Sequence, residues 1–181
     1  MQILETPRLI VRPFTEADLE PFVAYRSDPD VARYQSWTAP YSREDGLDFI
    51  AEMKDKVPGQ PDDWYQFALE LKAQPGLIGD CAFHMLPDGR QAEIGYSLAT
   101  AAQGHGYGTE AVSRVIDYLF DEFDLHRVSA TCDADNVASA RLLERIGLRR
   151  EGHFVENAWF KGYWSSEYSY AILAREWQAL K

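Results

Sequence analysis

Hydrophobic and polar residues alternate along several short stretches of this chain, which is the pattern of β-strands with one buried face. Turns that contain proline and glycine, at residues 74–76 and 87–89, separate three of these stretches and predict hairpins between them. The strands predicted from the alternation cover residues 8–14, 64–71, 77–85, 93–99, 127–132, 148–154 and 168–173.

Other stretches repeat their apolar residues with the period of an α-helix. The clearest helix follows a glycine-rich loop and continues to about Phe123, and a shorter one covers about residues 137–146. Gly147 predicts the end of the shorter helix, because glycine readily adopts the left-handed conformation that follows a helix. Two earlier helices are predicted over about residues 15–25 and 43–56.

The order of these elements predicts a mixed α and β fold. Between residues 93 and 154 a strand, a helix, a strand, a helix and a strand follow one another, which implies parallel pairing there. No repeat, low-complexity tract or linker interrupts the 181 residues. We therefore expect one domain over residues 1–181, with a core over about residues 8–175.

The chain is acidic, with a formal net charge of −11 at pH 7. Residues 1–70 hold 7 Lys or Arg against 14 Asp or Glu. Such a surface repels nucleic acid and anionic lipid, so we expect neither as a partner. It would favour a cationic amine, although solubility alone also explains the charge.

No apolar run approaches the roughly 20 residues that span a bilayer, so we do not expect a membrane protein. The chain has two cysteines, Cys81 and Cys132, and each lies in an apolar predicted strand. Buried free thiols are typical of a reducing compartment, so we expect a cytoplasmic protein without a disulfide.

Three glycines cluster at the start of the long predicted helix, within residues 103–109. Glycine disfavours helix formation, so the cluster needs another explanation. Amides at a helix N-terminus bind anions, and glycine lets a phosphate approach the backbone closely. A P-loop would need a lysine at position 109 and a dinucleotide fingerprint a third glycine there, but Thr109 is neither. We interpret the segment as the pyrophosphate loop of another nucleotide-like cofactor.

Three segments together resemble the GNAT superfamily of N-acetyltransferases, and more narrowly its RimJ/RimL-like branch. They are TPRLIVRPFTEADL, EIGYSLATAAQGHGYGTEA and NVASARLLERIGLRREG, in this order and spacing. The resemblance implies an α+β, GNAT-like fold, in which helices flank a mostly antiparallel sheet with a parallel pair of strands at the acetyl-CoA site. It also implies an acetyl-CoA-dependent enzyme that acetylates a primary amine without a metal.

The resemblance further assigns residues to the cofactor. The strand near Leu98 would pair edge-on with the pantetheine arm, and Asn136 would contact the cofactor while also capping a helix. Residues 136–150 hold four arginines against one glutamate, so the cofactor side is basic. The expected cofactor-binding residues are Leu98, Gln103, Gly104, His105, Gly106, Tyr107, Gly108, Thr109 and Asn136.

Acetyl transfer requires a neutral amine, which suggests a general base. Glu93, at the start of the strand that leads to the loop, is the candidate, acting through water. The alternative is an ordinary exposed strand carboxylate. Glu70, Asp80 and His84 are further candidates on neighbouring strands.

The leaving thiolate also needs stabilisation. Many members of the family carry a tyrosine seven residues after the position of Asn136, but here that residue is Leu143. The resemblance to the RimJ/RimL-like branch gives the role to Ser139, near the thioester sulfur, where it would hydrogen-bond the thiolate or position a water. A small residue packed on a helix is the alternative interpretation of Ser139. Neither cysteine has a basic neighbour, so we expect direct attack in a ternary complex.

The acceptor stays open between a protein N-terminal α-amine and a small amine such as an aminoglycoside or a polyamine. A non-catalytic acyl-CoA-binding module is a further alternative, because the tyrosine is missing. The aromatic residues Tyr34, Trp37 and Tyr41 are predicted either to wall the amine site or to fill the core. The protein is expected to be a monomer or a homodimer.

Overall fold

A computed structural model describes residues 3–181 of the chain. Its strands are β1 (Leu4–Glu5), β2 (Leu9–Arg12), β3 (Asp63–Leu71), β4 (Leu77–Met85), β5 (Gln91–Leu98), β6 (Arg127–Asp133), β7 (Arg149–Phe160) and β8 (Tyr163–Leu173). Its helices are α1 (Leu19–Arg26), α2 (Pro29–Ala32), α3 (Arg43–Asp55), α4 (Tyr107–Phe123), α5 (Val137–Arg145) and α6 (Ala174–Ala179).

The eight strands form one sheet in the order β1-β2-β3-β4-β5-β6-β8-β7. Within residues 3–181, β5 and β6 pair in parallel and the other neighbours are antiparallel. This is the predicted α+β fold, and the parallel pair lies where the sequence placed it. The predicted parallel pairing was wrong for the third strand of the series. β7 does not lie beside β6, because β8 turns back from β7 and takes the place between them.

Hydrophobic clusters cover both faces of the sheet. The larger cluster packs α4 against the central strands. That helix contributes four of the five apolar residues that the helical period predicts, Val112, Val115, Ile116 and Leu119, and the fifth, Phe123, is half-buried against the same cluster. The smaller cluster packs α1 and α3 against the opposite face, around Phe22. The parallel pair of β5 and β6 therefore lies in the middle of the sheet, with helices packed on both faces of the sheet.

The ends of α5 follow from two residues. Asn136 is the N-cap, and its Oδ1 accepts a hydrogen bond of 3.1 Å from the Ser139 amide. Gly147 follows the helix with φ +95°, the left-handed conformation that glycine adopts at least cost. The predicted boundaries of this helix, including its capping residue, are therefore confirmed.

Prediction missed the short β1, α2 and α6, and it shortened the last hairpin. β8 begins at Tyr163 rather than at residue 168, and β7 continues to Phe160 rather than ending at residue 154. Most of β7 is exposed, so its residues do not alternate between a buried and a solvated face. The alternation from which strands are predicted is therefore absent there.

Glu151, at the start of β7, is held between two arginines. Its carboxylate lies 2.6 Å from Arg127 Nη2 and 2.5 Å from Arg149 Nη2. Hydrogen bonds from Arg127 and then from Arg149 lower the pKa of Glu151 to about 2. Because this pKa lies below its ordinary value of 4.5, the carboxylate stabilises the fold above about pH 4.5. That contribution is lost as the pH falls through the folded-state pKa.

Glu151→Gln is therefore expected to lower the free energy of unfolding at pH 7 by on the order of 1 kcal/mol, a value reduced for solvent screening. The difference from the wild type should shrink as the pH falls from 5 to about 2. Urea unfolding at several pH values measures it. Glu16→Gln is the control, because Glu16 and its partner Lys54 are both exposed. A difference that stayed constant with pH would show that the charge of Glu151 is not responsible.

Candidate active site

A cleft opens between β5 and β6 where their parallel pairing ends. The register covers Gln91–Arg127, Ala92–Val128 and Glu93–Ser129 and then stops, although both strands continue. A cavity of about 580 Å³ lies in the cleft, between residues 94–98 of β5 and residues 130–133 of β6. Beyond Glu93 the edge of β5 that faces β6 therefore makes no ladder with its neighbour, and it can pair with an extended ligand.

Two glutamines reach carbonyl groups on this part of β5. Gln35 Nε2 donates to the Tyr96 carbonyl at 3.4 Å, and Gln103 Nε2 donates to the Leu98 carbonyl at 3.0 Å. The second contact fixes the start of the glycine loop to the end of the strand. Gln103 is predicted to contact the cofactor, and in the structure its side chain also holds the start of the glycine loop against β5.

The glycines of the loop have distinct roles. Gly104 and Gly106 have φ values of +78° and +79°, which most other residues adopt only under strain. Gly106 is also the N-cap of α4, so the first amides of that helix face the cavity. Gly108 lies inside the helix, and a Cβ there would come within 2.8 Å of Leu142 Cδ1. Two glycines therefore shape a cradle for an anion at a helix N-terminus, and the third permits close packing of α4 on α5.

Nearly all the predicted cofactor residues meet at this cavity. The exception is His105, whose ring stacks on Tyr107 at 5.5 Å and which is absent from the lining. The predicted cofactor residues that do line the cavity are Leu98, Gln103, Gly104, Gly106, Tyr107, Gly108, Thr109 and Asn136.

Arg8, to which the sequence assigned no role, holds the loop from the bend between β1 and β2. Its Nε lies 2.6 Å from Glu110 Oε2, its Nη1 donates to the His105 carbonyl at 2.9 Å, and its guanidinium lies 4.6 Å from the centre of the Tyr107 ring. Glu110 also accepts from Thr6 Oγ1 at 2.5 Å, and these contacts lower its pKa against the opposing effect of burial. The motif TPRL could have indicated this contact, because its arginine and threonine both reach the helix that carries the loop.

Arg8→Ala is expected to weaken acetyl-CoA binding about tenfold, because the loop loses three anchoring contacts and the cavity a nearby cation. Arg8→Lys keeps the charge but cannot bridge Glu110 and the His105 carbonyl together, so it should recover only part of the loss. Titration calorimetry with acetyl-CoA measures both. Arg43→Ala, which removes an exposed pair with Glu20, is the control. Full affinity in Arg8→Ala would exclude this role of Arg8.

The positive charge at the cavity is smaller than the sequence suggested. Arg141 and Arg145 line the cavity on α5. Arg149 instead pairs with Glu151, and Arg150 lies 4.6 Å from the centre of the Tyr168 ring. Two arginines and the N-terminus of α4 therefore supply the local potential for an anion.

The two predicted catalytic residues occupy different positions. Ser139 lines the cavity, and its Oγ lies 2.8 Å from the Tyr96 hydroxyl, a contact that sequence analysis missed. Glu93 is absent from the lining and lies on β5 between His84 of β4 and Ser129 of β6. Gly95, two residues further along β5, does line the cavity, and a Cβ there would meet no atom within 4 Å.

The three predicted aromatic residues separate into two groups. Tyr34 lines the cavity, and its hydroxyl donates to the Asp135 carbonyl at 3.3 Å. Trp37 and Tyr41 pack with the smaller cluster, where their ring centres lie 4.0 and 5.1 Å from the Arg26 guanidinium. Of the three, Tyr34 is therefore placed to contact a substrate in the cavity.

The further carboxylate and histidine candidates lie outside the lining of the cavity. Glu70 pairs with Arg12 at 2.5 Å, and His84 stacks on Trp64 at 5.1 Å. Asp80 is buried, and it accepts hydrogen bonds from the Tyr25 hydroxyl and from Gln66 Nε2. Each of the three therefore has structural contacts away from the cavity.

Within the described part of the chain, no group of three or more His, Cys, Asp or Glu side chains is placed to hold a metal. No helix among residues 3–181 is both long and apolar enough to cross a membrane.

Comparison with known proteins connects this geometry to a family. The family model described as an acetyltransferase (GNAT) domain matches residues 8–149. The chain belongs to the GNAT family of acetyltransferases. An uncharacterized N-acetyltransferase, YnaD, of Bacillus subtilis (strain 168) is 33% identical over 174 residues, which are 96% of this chain and 98% of that protein. The crystal structure of a GNAT-family acetyltransferase from Bacillus anthracis is 33% identical, with a TM-score of 0.85 over 95% of this chain and 98% of that one.

Two relatives with named acceptors match shorter regions. The ribosomal protein uS5-alanine N-acetyltransferase of Escherichia coli (strain K12) is 30% identical over 84 residues, 46% of this chain and 43% of that protein. The spermidine N(1)-acetyltransferase of Vibrio cholerae is 32% identical over 73 residues, 40% of this chain and 42% of that protein.

Membership in the GNAT family confirms the predicted class of enzyme. The protein is an acetyltransferase that uses acetyl-CoA, with an amine as the acetyl acceptor. The left-handed glycines, the N-terminus of α4 and the diverging strands fit the pyrophosphate and the extended arm of that co-substrate.

Proposed function

We propose that this acetyltransferase acts on a primary amine, and that its acceptor is a protein N-terminal α-amine. The composition of the cavity carries the proposal. Among its described lining residues, carboxylates come from Asp30 and Asp133, and histidine is absent. The Asp133 carboxylate already accepts from Ser165 Oγ at 2.6 Å and from the Asp135 amide at 2.8 Å. The cavity therefore holds little that could serve as a strong base.

A site poor in bases suits an acceptor that is already partly neutral. An α-amino group has a pKa of about 7.7–8.0, so roughly a tenth or more of it is neutral at pH 7. A lysine side chain, with a pKa of about 10.4, is neutral in less than about one part in a thousand. The α-amine consequently needs far less help with deprotonation.

The residues of the cavity divide the work between holding the co-substrate and orienting it. Amides at the N-terminus of α4, with Arg141 and Arg145, would bind the pyrophosphate. The edge of β5 near Leu98 would hydrogen-bond the pantetheine amides, which places the thioester between β5 and α5, where Ser139 lies. Acetyl-CoA supplies an acetyl group activated as a thioester, so the amine attacks it directly while both substrates are bound. No cysteine nucleophile is needed.

Glu93 is proposed as the base, acting through water. Its side chain shares a face of β5 with Gly95, because side chains alternate along a strand. The open space beside Gly95 joins that face to the cavity, so a water there could pass a proton from the amine to Glu93. Direct contact between Glu93 and the amine is not required.

A small cationic amine is the second candidate acceptor. The acidic N-terminal third of the chain and the carboxylate of Asp30 in the cavity favour it. The spermidine acetyltransferase relative acts on such a molecule. A small amine that brought two ammonium groups into the cavity would need more than one free carboxylate to pair with them. The cavity does not offer this, which favours the α-amine.

Release of the coenzyme A thiol across matched acceptors tests the proposal. One peptide carries a free N-terminus and no lysine, and the second has the same sequence with an acetylated N-terminus and one lysine. Spermidine and an aminoglycoside complete the panel. Turnover should be fastest with the free N-terminus, by about tenfold or more. Faster turnover with spermidine would replace the proposed acceptor.

Glu93→Gln, measured on the same panel, tests the base. It should slow the lysine peptide by about 100-fold and the α-amine peptide less, because general base catalysis matters more for the more basic amine. Equal slowing of all acceptors would point to a structural role for Glu93. Glu70→Gln is the control, since Glu70 pairs with Arg12 away from the cavity.

The compartment is proposed to be the cytoplasm. Cys81 and Cys132 are both buried and unpaired, which is typical of a protein that folds under reducing conditions.

A further inference from the structure

Tyr96 spans the cleft from β5 to α5. It lines the cavity, and its hydroxyl lies 2.8 Å from Ser139 Oγ and 3.4 Å from the Ser139 carbonyl oxygen. The ring also packs against the larger hydrophobic cluster, so its position is fixed by the core. The tyrosine therefore presents a rigidly held hydroxyl to the side chain that is proposed to face the thioester.

Either hydroxyl could donate in this hydrogen bond, and its surroundings favour Tyr96 as the donor. Burial is the main cause that raises the pKa of Tyr96 above its ordinary value, so the phenol keeps its proton. A phenol is a stronger donor than an alcohol, and both nearby oxygens of Ser139 are acceptors. With Tyr96 as the donor, the hydrogen of the Ser139 hydroxyl is free to point elsewhere.

Other titratable groups lie around the pair. Cys132 of β6 has its pKa raised to about 11, chiefly by burial. The titratable groups near Tyr96 are Cys81 on β4, Cys132 on β6 and Tyr170 on β8. Cys132 in turn lies near Ser139 and near the carboxylates of Asp133, Glu144 and Glu167. The cationic groups on the same cavity are Arg141 and Arg145.

We propose that Tyr96 is a positioning residue, which donates to Ser139 Oγ and so directs the Ser139 hydroxyl hydrogen towards the sulfur of the bound substrate. The inference rests on the proposed function, which places that sulfur beside Ser139. During transfer the bond between carbon and nitrogen forms, the bond between carbon and sulfur breaks, and its electron pair goes to sulfur. The amine releases its proton through water to Glu93, and Ser139 and Tyr96 keep theirs while the thiolate accepts the hydrogen bond.

The pKa of the coenzyme A thiol in the complex tests this directly, without knowledge of the acceptor. Thiolate formation is followed by ultraviolet absorbance for coenzyme A bound to the wild type, to Tyr96→Phe, to Ser139→Ala and to the double variant. The complex with desulfo-coenzyme A is the blank, and it subtracts the protein's own cysteines and tyrosines. Tyr118→Phe is the control, because Tyr118 is also buried and lies on α4 outside the cavity lining.

Each single variant at the pair should raise the pKa of the bound thiol by about one unit, since a hydrogen bond to a charged group is lost. The double variant should shift it no further, because the two residues act on the sulfur through one bond. In turnover, Tyr96→Phe should lower kcat about tenfold and leave the KM for acetyl-CoA unchanged.

If the pKa of the bound thiol were the same in Tyr96→Phe as in the wild type, but raised in Ser139→Ala, the proposed role of Tyr96 would be overturned. Unchanged values in both variants would overturn the whole arrangement while leaving the transferase assignment intact. Failure of the wild type to bind coenzyme A in this cleft would instead overturn the proposed function, and the inference with it.

Discussion

Gly104→Asp should raise the Kd for acetyl-CoA about 100-fold. Gly104 has a φ of +78°, and a Cβ at this position would meet no atom within 4 Å. The new carboxylate therefore fits without a clash and lies beside the pyrophosphate site. A unit charge about 5 Å from a phosphate charge is repelled by about 3 kcal/mol at an effective dielectric constant of about 20. That energy corresponds to roughly two factors of ten in Kd.

Gly104→Asn separates charge from conformation. Asparagine matches aspartate in size and in its tolerance of the left-handed region, so it reproduces the backbone cost without the charge. Gly89→Asp, at another open glycine with a φ of +63°, controls for the effect on stability. Isothermal calorimetry with acetyl-CoA supplies the Kd values. Equal weakening by Asp and Asn would mean that loop conformation, and not phosphate repulsion, limits binding.

Gly108 is a poorer position for the same test. Its Cβ would lie 2.8 Å from Leu142 Cδ1, so any side chain there separates α4 from α5. A loss of binding in a Gly108 variant would therefore mix disrupted packing with phosphate repulsion.

The fold could be predicted where burial imposes a period on the sequence. The apolar residues of α4 and the alternation of β3 and β4 both report packing against the sheet. The full length of the β7–β8 hairpin could not be predicted in this way, because β7 is largely exposed along its length. Its position beyond β6 is a long-range choice of pairing, which local patterns do not record.

The site could be predicted where backbone chemistry required particular residues. Glycines at positions 104 and 106 report left-handed backbone, so the loop was visible in the sequence. Arg8 and Tyr96 were not, because each acts through a partner about 100 or about 40 residues away, Glu110 and Ser139 respectively. Contacts of this kind follow from the packing of β2 on α4 and of β5 beside α5.

The aromatic loop illustrates the same limit. Trp37 and Tyr41 were expected either at the amine site or in the core, and composition could not separate the two. In the structure both pack around Arg26, whose buried guanidinium also lies 4.2 Å from the centre of the Phe22 ring. A role of Trp37 and Tyr41 in substrate binding stays a prediction. Their contacts with the Arg26 guanidinium bear instead on the stability of the fold.

Arg26→Met is expected to lower the free energy of unfolding by about 3–5 kcal/mol at neutral pH, the cost of removing one partner of a buried ion pair. Arg26 is 6% exposed, its Nη2 lies 4.0 Å from Asp80 Oδ2, and its Nε has no hydrogen-bond partner among the described residues. Methionine fills much of the aromatic cage. The main loss is therefore the positive charge that offsets the carboxylate of Asp80.

The loss should depend on pH in a defined direction. Burial raises the pKa of Asp80, and Arg26 opposes that rise, so the substitution raises this pKa further. A carboxyl whose folded-state pKa exceeds its unfolded value of 3.8 binds its proton more tightly in the folded state. The stabilisation that comes from this tighter proton binding is complete below about pH 3.8, and it is lost as the pH rises through the folded-state pKa of Asp80. The difference between the variant and the wild type should accordingly be smallest in acid.

Urea unfolding of the single and double variants across this pH range measures the effect. Arg26→Met combined with Asp80→Asn should regain most of the loss, because neither charge then remains buried alone. Arg43→Met, which removes an exposed arginine paired with Glu20, should change stability little. If the double variant stayed as unstable as Arg26→Met at every pH, the shape of the arginine within its aromatic cage would be the dominant contribution. The charge of Asp80 would then have no part in the loss.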